Sequence, residues 1–272
     1  MLTYELSPRK LPLKRMGFTF QKLIIFRLCV VCVLSYDYCN IQNDCPENTR
    51  HIGCYPEQLG HPSENATKIP MTKKLRNSII SVHNEYRNEL SCGLVEDVNK
   101  IPFPPAAKMR ELKWDNELEY LAGLHVQHCT VAQDECRITS RFKLVGQNVG
   151  AIIGCVPNIG GLQIGAATNE ILRQWFNEHL GATYRSSDEF QSEPQTDQFF
   201  QMINDKTARV GCALALCSFN TTDNILLLTC NYSYKTVNDE AVYTAGAIVT
   251  KCDRANSRPS ANYRCLCEAA DS

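Results

Sequence analysis

The clearest periodicity lies in residues 72–90, TKKLRNSIISVHNEYRNEL. Leu75, Ile79, Val82, Tyr86 and Leu90 recur at steps of three and four, so they share one helical face, and Thr72 can cap the start. His83 stands at the edge of that stripe, where a histidine holding backbone or loop groups is expected rather than a catalyst. A second helix is predicted in LKWDNELEYLAGLHVQHC. Asp115 or Asn116 caps it, and Leu118, Leu121, Ala122, His125 and Cys129 share its apolar face. A third helix is expected over about residues 168–180, burying Ile171, Leu172, Trp175 and Phe176 and ending at Gly181.

Residues 209–217 (RVGCALALC) and 225–232 (ILLLTCNY) are near-continuous apolar runs, the pattern of strands covered on both faces. Residues 146–166 carry several glycines and few charges. They read as a loop with at most a short strand, and IGGLQIGA within them counts as loop. Helices ahead of strands predict an α+β chain folded as a three-layer α-β-α sandwich over residues 71–250. Residues 36–70 form an irregular, cysteine-bearing arm, and residues 251–272 a cysteine-bearing tail.

Composition narrows the function classes. The 272 residues carry a formal net charge of −1 with no dominant charged block, which argues against nucleic acid or an anionic membrane surface as partner. Fifteen cysteines call for disulfides or metal clusters. Cys29-Val-Val-Cys32 is the sole CxxC and lies in an apolar run, so disulfides and an oxidising compartment are expected. Residues 28–34 have the length of a signal-peptide core, with Lys22 and Arg27 as the positive flank and cleavage after Ser35. That makes residues 1–35 a signal peptide, residues 1–15 a gene-model extension ahead of Met16, and the product secreted and extracellular with no membrane span in the mature chain. Loss of Cys29 and Cys32 leaves an odd number of cysteines, compatible with a monomer or a disulfide-linked dimer. Asn65, Asn220 and Asn231 begin N-glycosylation triplets.

Catalytic motifs are missing. There is no Gly-X-Ser-X-Gly elbow, no phosphate loop and no cysteine marked out as a nucleophile. His125 and His128, one turn apart, form a candidate metal pair without an evident third ligand.

Seven segments occur in order: HNEYRNEL, PPAAKMRELKWDNELEYLA, QDECR, VGQNVGA, QWFNEH, DQFFQMINDKTARVGC and LLLTCNYS. Together, over roughly residues 38–250, they resemble the CAP superfamily of cysteine-rich secretory, antigen 5 and pathogenesis-related 1 proteins. The insect antigen 5 (venom allergen-like) branch is the most similar, including its stapled arm. The resemblance implies an α-β-α sandwich and a cleft in which two histidines and two acids can hold a divalent cation. Here the histidine positions are Gln133 and Gln198, one acid position is Gln147, and Glu178 alone is retained. The resemblance therefore implies a degenerate cleft with no metal, no cofactor and no general base.

The resemblance also implies disulfides Cys39–Cys54, Cys45–Cys136 and Cys212–Cys230. Cys129 lacks its usual partner near His61, with Cys92 or Cys155 as substitutes, and Cys252 joins Cys265 or Cys267. The function expected is a secreted, non-enzymatic binding module for an extracellular protein or lipid, in a reproductive, salivary, venom or defence setting. A sterol or fatty-acid carrier and a secreted peptidase are the alternatives.

Overall fold

In the computed structural model, which describes residues 36–60, 62–154, 161–218, 224–253 and 257–269, helix α1 spans Lys73–Ser91. Thr72 caps it, its hydroxyl accepting from the Leu75 N–H. Helix α2 spans Asn116–His125, and the Asp115 carboxylate accepts from the N–H groups of Glu117 and Leu118. Helix α3 spans Gly161–Asn177 and α4 spans Asp197–Met202. Asp37–Ser272 clusters as one unit, separate from Met1–Tyr36. The signal segment read in residues 1–35, Cys155 and Asn220 lie outside the described residues.

The central sheet has the order β1-β4-β5-β3, with β2 also paired to β4. Its strands are β1 (Ala66–Ile69), β2 (Lys113–Trp114), β3 (Gly146–Ile153), β4 (Arg209–Ser218) and β5 (Asn224–Tyr232). Strand alternation explains why β4 and β5 look apolar throughout. Val210, Cys212, Leu214, Leu226, Leu228 and Tyr232 face the main core with side chains of α1, α3 and α4. Ala213, Ala215, Cys217 and Leu227 face the opposite way, against Ala122 and Val126 at the end of α2. The result is the three-layer α-β-α arrangement. Gly211 has no alternative: a Cβ there would run into the backbone of Asp115, Leu118 and Glu119 where α2 starts.

Three parts of the chain are more regular than their sequence suggests. Residues 146–153 form a full strand, not a loop, paired residue for residue with β5. Its glycines admit neighbours, since a Cβ on Gly150 would strike the Ile171 and Trp175 side chains. Helix α3 begins at Gly161, inside IGGLQIGA, well before the strongly amphipathic part of that segment. The arm supplies β1, held antiparallel to β4, and the tail forms a two-stranded sheet of β6 (Ser257–Pro259) and β7 (Cys267–Ala269). Backbone pairing between strands, which local side-chain periodicity does not report, creates β1, β3, β6 and β7.

Six disulfides join all twelve cysteines of the described residues. Cys39–Cys54 and Cys45–Cys136 fasten the arm, and Cys212–Cys230 links β4 to β5. Cys129 bonds Cys217, not Cys92 or Cys155, because the turn after α2 lies over the sheet face that Cys217 shares. Cys92, at the end of α1, bonds Cys265, and Cys252 bonds Cys267, so adjacent stretches of the tail are tied to different anchors. Each closure of a long loop contributes about 2–4 kcal/mol.

His83 is completely buried. Its Nδ1–H donates to Ile79 O at 2.8 Å, and Nε2 accepts from the Tyr232 hydroxyl at 2.9 Å. The neutral ring satisfies both partners, and burial, which disfavours the charged ring, pushes its pKa down to about 4. His51 and His125 are lowered by burial in the same sense. Below the unfolded value near 6.5 the unfolded chain binds protons that the native state refuses, so stability falls as pH drops from there toward about 4. For His83 alone the loss is on the order of 3 kcal/mol. Thermal unfolding between pH 7 and 4 is expected to show this acid limb. A His83→Gln variant, less stable at neutral pH, should lose less over the same interval.

Candidate functional site

Strand β3, the loop that precedes it and helix α4 enclose a cleft of about 170 Å³. Gln133, Gln147 and Gln198 all line it, with Asn148 and Gln201, and Lys235, Thr236 and Asn238 stand on the rim. Glu178 does not. It sits behind α4, in the 3-10 turn that follows α3.

Each carboxamide is committed to the frame. Gln147 Nε2 donates to Asp134 Oδ2 at 2.7 Å and Asn231 Oδ1 at 3.0 Å, while its Oε1 accepts from Asp134 N at 3.2 Å. Gln133 Nε2 donates to Gln147 O at 2.9 Å. Gln198 Oε1 accepts from Val149 N, and Gln198 O accepts from Asn148 Nδ2. Gln201 donates to Tyr234 O and accepts from Thr236 N, which fixes the rim. Asp134 in turn pairs with the buried Arg137 guanidinium, Nε to Oδ1 at 2.6 Å. The acid beside Gln133 and the asparagine of CNYS thus matter as much as the glutamines. Their signal in the sequence is only their closeness to Cys136 and Cys230.

Glu178 does the work of a missing cap. Thr196, the residue before α4, offers no side-chain bond to the helix. Glu178 Oε2 accepts instead from the N–H groups of Gln198 and Phe199 at 2.9 and 3.1 Å. Burial raises its pKa, and those two N–H groups oppose the rise.

The residues present do not fit a divalent cation. Three neutral amides are bonded within the frame, the one acid retained at those positions is turned into a helix terminus, and Asp197, which also lines the cleft, accepts from Ser192 and Glu193. The His125–His128 pair fails for a separate reason. His125 Nε2–H donates to Ala132 O, and Nδ1 accepts from the Thr229 hydroxyl, so neither ring nitrogen faces a metal. Among the described residues no group of three or more His, Cys, Asp or Glu is arranged to hold an ion. The glycosylation triplet at Asn231 is also corrected. Its side chain is fully buried, donating to Leu118 O and accepting from Gln147, and leaves no room for a glycan. Asn65 is exposed.

The family model described as "CAP: Cysteine-rich secretory protein family" matches residues 80–232. The chain is 36% identical over 216 residues to the "Antigen 5 like allergen Cul n 1" of Culicoides nubeculosus, covering 73% of this chain and 91% of that protein. It is 34% identical over 208 residues to "Venom allergen-1" of Aedes albopictus, covering 75% and 78%. Among solved structures, NaASP2 with Zn2+ superposes with a TM-score of 0.57 at 19% identity, covering 76% of this chain and all of that one. The last likeness concerns the fold alone.

Gln147→Glu tests the amide frame. The substitution sets a second carboxylate against Asp134 Oδ2 and removes the donors to Asp134 and Asn231. Urea unfolding at neutral pH is expected to show a loss of about 2–4 kcal/mol. Part of that loss should return toward pH 5, where a proton shared between the carboxyls restores a donor.

Proposed function

This chain belongs to the CAP, or cysteine-rich secretory protein, family, and from that premise we propose that it is a secreted, non-enzymatic binding module. One observation carries the reading: three of the four side chains at the family's cleft positions are amides engaged in holding the cleft together, and the fourth, Glu178, accepts from the start of α4. A neutral glutamine amide offers neither a base for proton transfer nor a strong ligand for an ion. Six disulfides support an oxidising destination, and relatives bear the names antigen 5-like allergen and venom allergen. No helix among the described residues is long and apolar enough to cross a membrane. The rigid frame presents its loops to an extracellular partner, with the rim residues Lys235, Thr236 and Asn238 at the mouth of the cleft.

Zinc titration by calorimetry tests this. The parent protein is expected to give no saturable heat, and Gln133→His/Gln198→His to gain a site. Tight, stoichiometric binding by the parent would overturn the reading, as would peptide hydrolysis that disappears on Glu178→Gln.

A second reading, a fatty-acyl or sterol carrier, is favoured by a separate feature. A groove of about 750 Å³ runs between the start of α1 and α3, bordered by Ile69, Pro70, Leu75, Ile164 and Ala166. Its volume and apolar walls suit one lipid chain. Mass spectrometry of an organic extract of the purified secreted protein is expected to recover stoichiometric lipid under this reading. A clean extract, with no uptake of added fatty acid, removes it.

A further inference from the structure

At the opposite end of β4 from β1, the structure gathers three cations around one acid. Lys113 in β2 and Arg209 in β4 are direct partners in a parallel register, so their side chains leave the sheet side by side. Arg110, whose backbone bridges to Cys267 of the tail, joins them around a pocket of about 90 Å³. All three side chains are half-buried, and among the described residues none makes an ion pair or a side-chain hydrogen bond.

The acids nearby do not balance them. Glu111 lines the pocket, but its Oε2 accepts from the Ser260 hydroxyl at 2.6 Å. Glu268 feels Lys113 electrostatically, yet its carboxylate is held by Arg258 at 2.7 Å. Among the described residues, three cations against the single carboxylate of Glu111 leave a surplus of two positive charges around one small cavity. Like charges set opposite each other on neighbouring strands destabilise a sheet. Elsewhere Arg76 pairs with Glu119, Lys108 with Asp205 and Lys206 with Glu240, each cation half-buried. The tail is also fastened here by design of its covalent bonds, since Cys265 and Cys267 anchor β7 beside Arg110 and Glu111.

We propose that this pocket, formed where β2, β4 and the tail meet, binds a tetrahedral oxyanion group, a phosphate or sulfate carried on a small molecule or glycan. Two guanidinium forks and an ammonium match the charge and the several acceptor oxygens of such a group. The site lies outside the amide cleft and the apolar groove, so it stands or falls independently of both.

The test uses the secreted protein. Thermal unfolding is followed with inorganic phosphate, inorganic sulfate, or sodium chloride at matched ionic strength. Phosphate or sulfate is expected to raise the Tm in a saturable manner that chloride does not reproduce. Lys113→Ala/Arg209→Ala should weaken oxyanion binding about tenfold or more. Without oxyanion its Tm should equal or exceed that of the parent, because like-charge repulsion is relieved. Lys73→Ala/Lys74→Ala, which removes exposed cations on α1, should leave the response intact. Titration with glucose 6-phosphate and glucose 6-sulfate then distinguishes the two sources, the tighter ester naming the group. No shift beyond the chloride control, or an undiminished shift in the Lys113/Arg209 double variant, overturns the proposal.

Discussion

The guanidinium of Arg87 holds the sandwich in register. It is completely buried on α1, and its five N–H groups meet four backbone carbonyls. Arg110 O accepts from Nε and one terminal nitrogen, Thr207 O from that same nitrogen, and Met202 O and Asn204 O from the other. Those carbonyls belong to the segment entering β2 and to the turn between α4 and β4. Left alone in the interior, each would cost about 1–3 kcal/mol. Burial pulls the Arg87 pKa down to about 9, and Asp205 opposes that fall, so the group keeps its charge at neutral pH. A lysine could not replace it, since one ammonium cannot span carbonyls from two segments in a planar fork.

From that anchor the cleft follows. Arg87 fixes the end of α4, and Glu178 fixes its start by accepting from Gln198 and Phe199. Helix α4 then holds Gln198 against β3 through Val149 and Asn148. On the far wall Gln147 joins Asp134 to Asn231, and Asn231 reaches the backbone of α2. A polar network of this kind stabilises only when every member is satisfied. Here the amides complete it, so the cleft is held by its own hydrogen bonds.

How much of this was legible depends on the range of the interaction. Thr72, Asp115 and the stripe through Ile79 and Leu90 were readable because caps and helical faces are set within a few residues. Strand β3 was not, because its glycines weaken the local pattern and its order comes from pairing with β5. The cleft positions could be located because motifs keep their order, yet the reason Gln147 is tolerated lies in Asp134 and Asn231, which sequence distance hides. Cysteine spacing likewise did not find Cys129–Cys217, since what brings those residues together is a shared sheet face.

Losses and gains of chemistry differ in the same way. A departure from the family pattern is visible at one position, as when Gln133 stands beside the acid of QDECR. A gained site requires several positions to converge, and composition averages them away. The formal net charge of −1 conceals a place where Lys113 and Arg209 lie in register with Arg110 nearby. Pairing of β2 with β4 creates that convergence, and the disulfides of the tail close the cavity around it. The same parallel pairing that extends the sheet therefore concentrates charge that the sheet alone would be more stable without. An occupant that neutralises it would be bound by a frame already assembled, at little cost in ordering the protein.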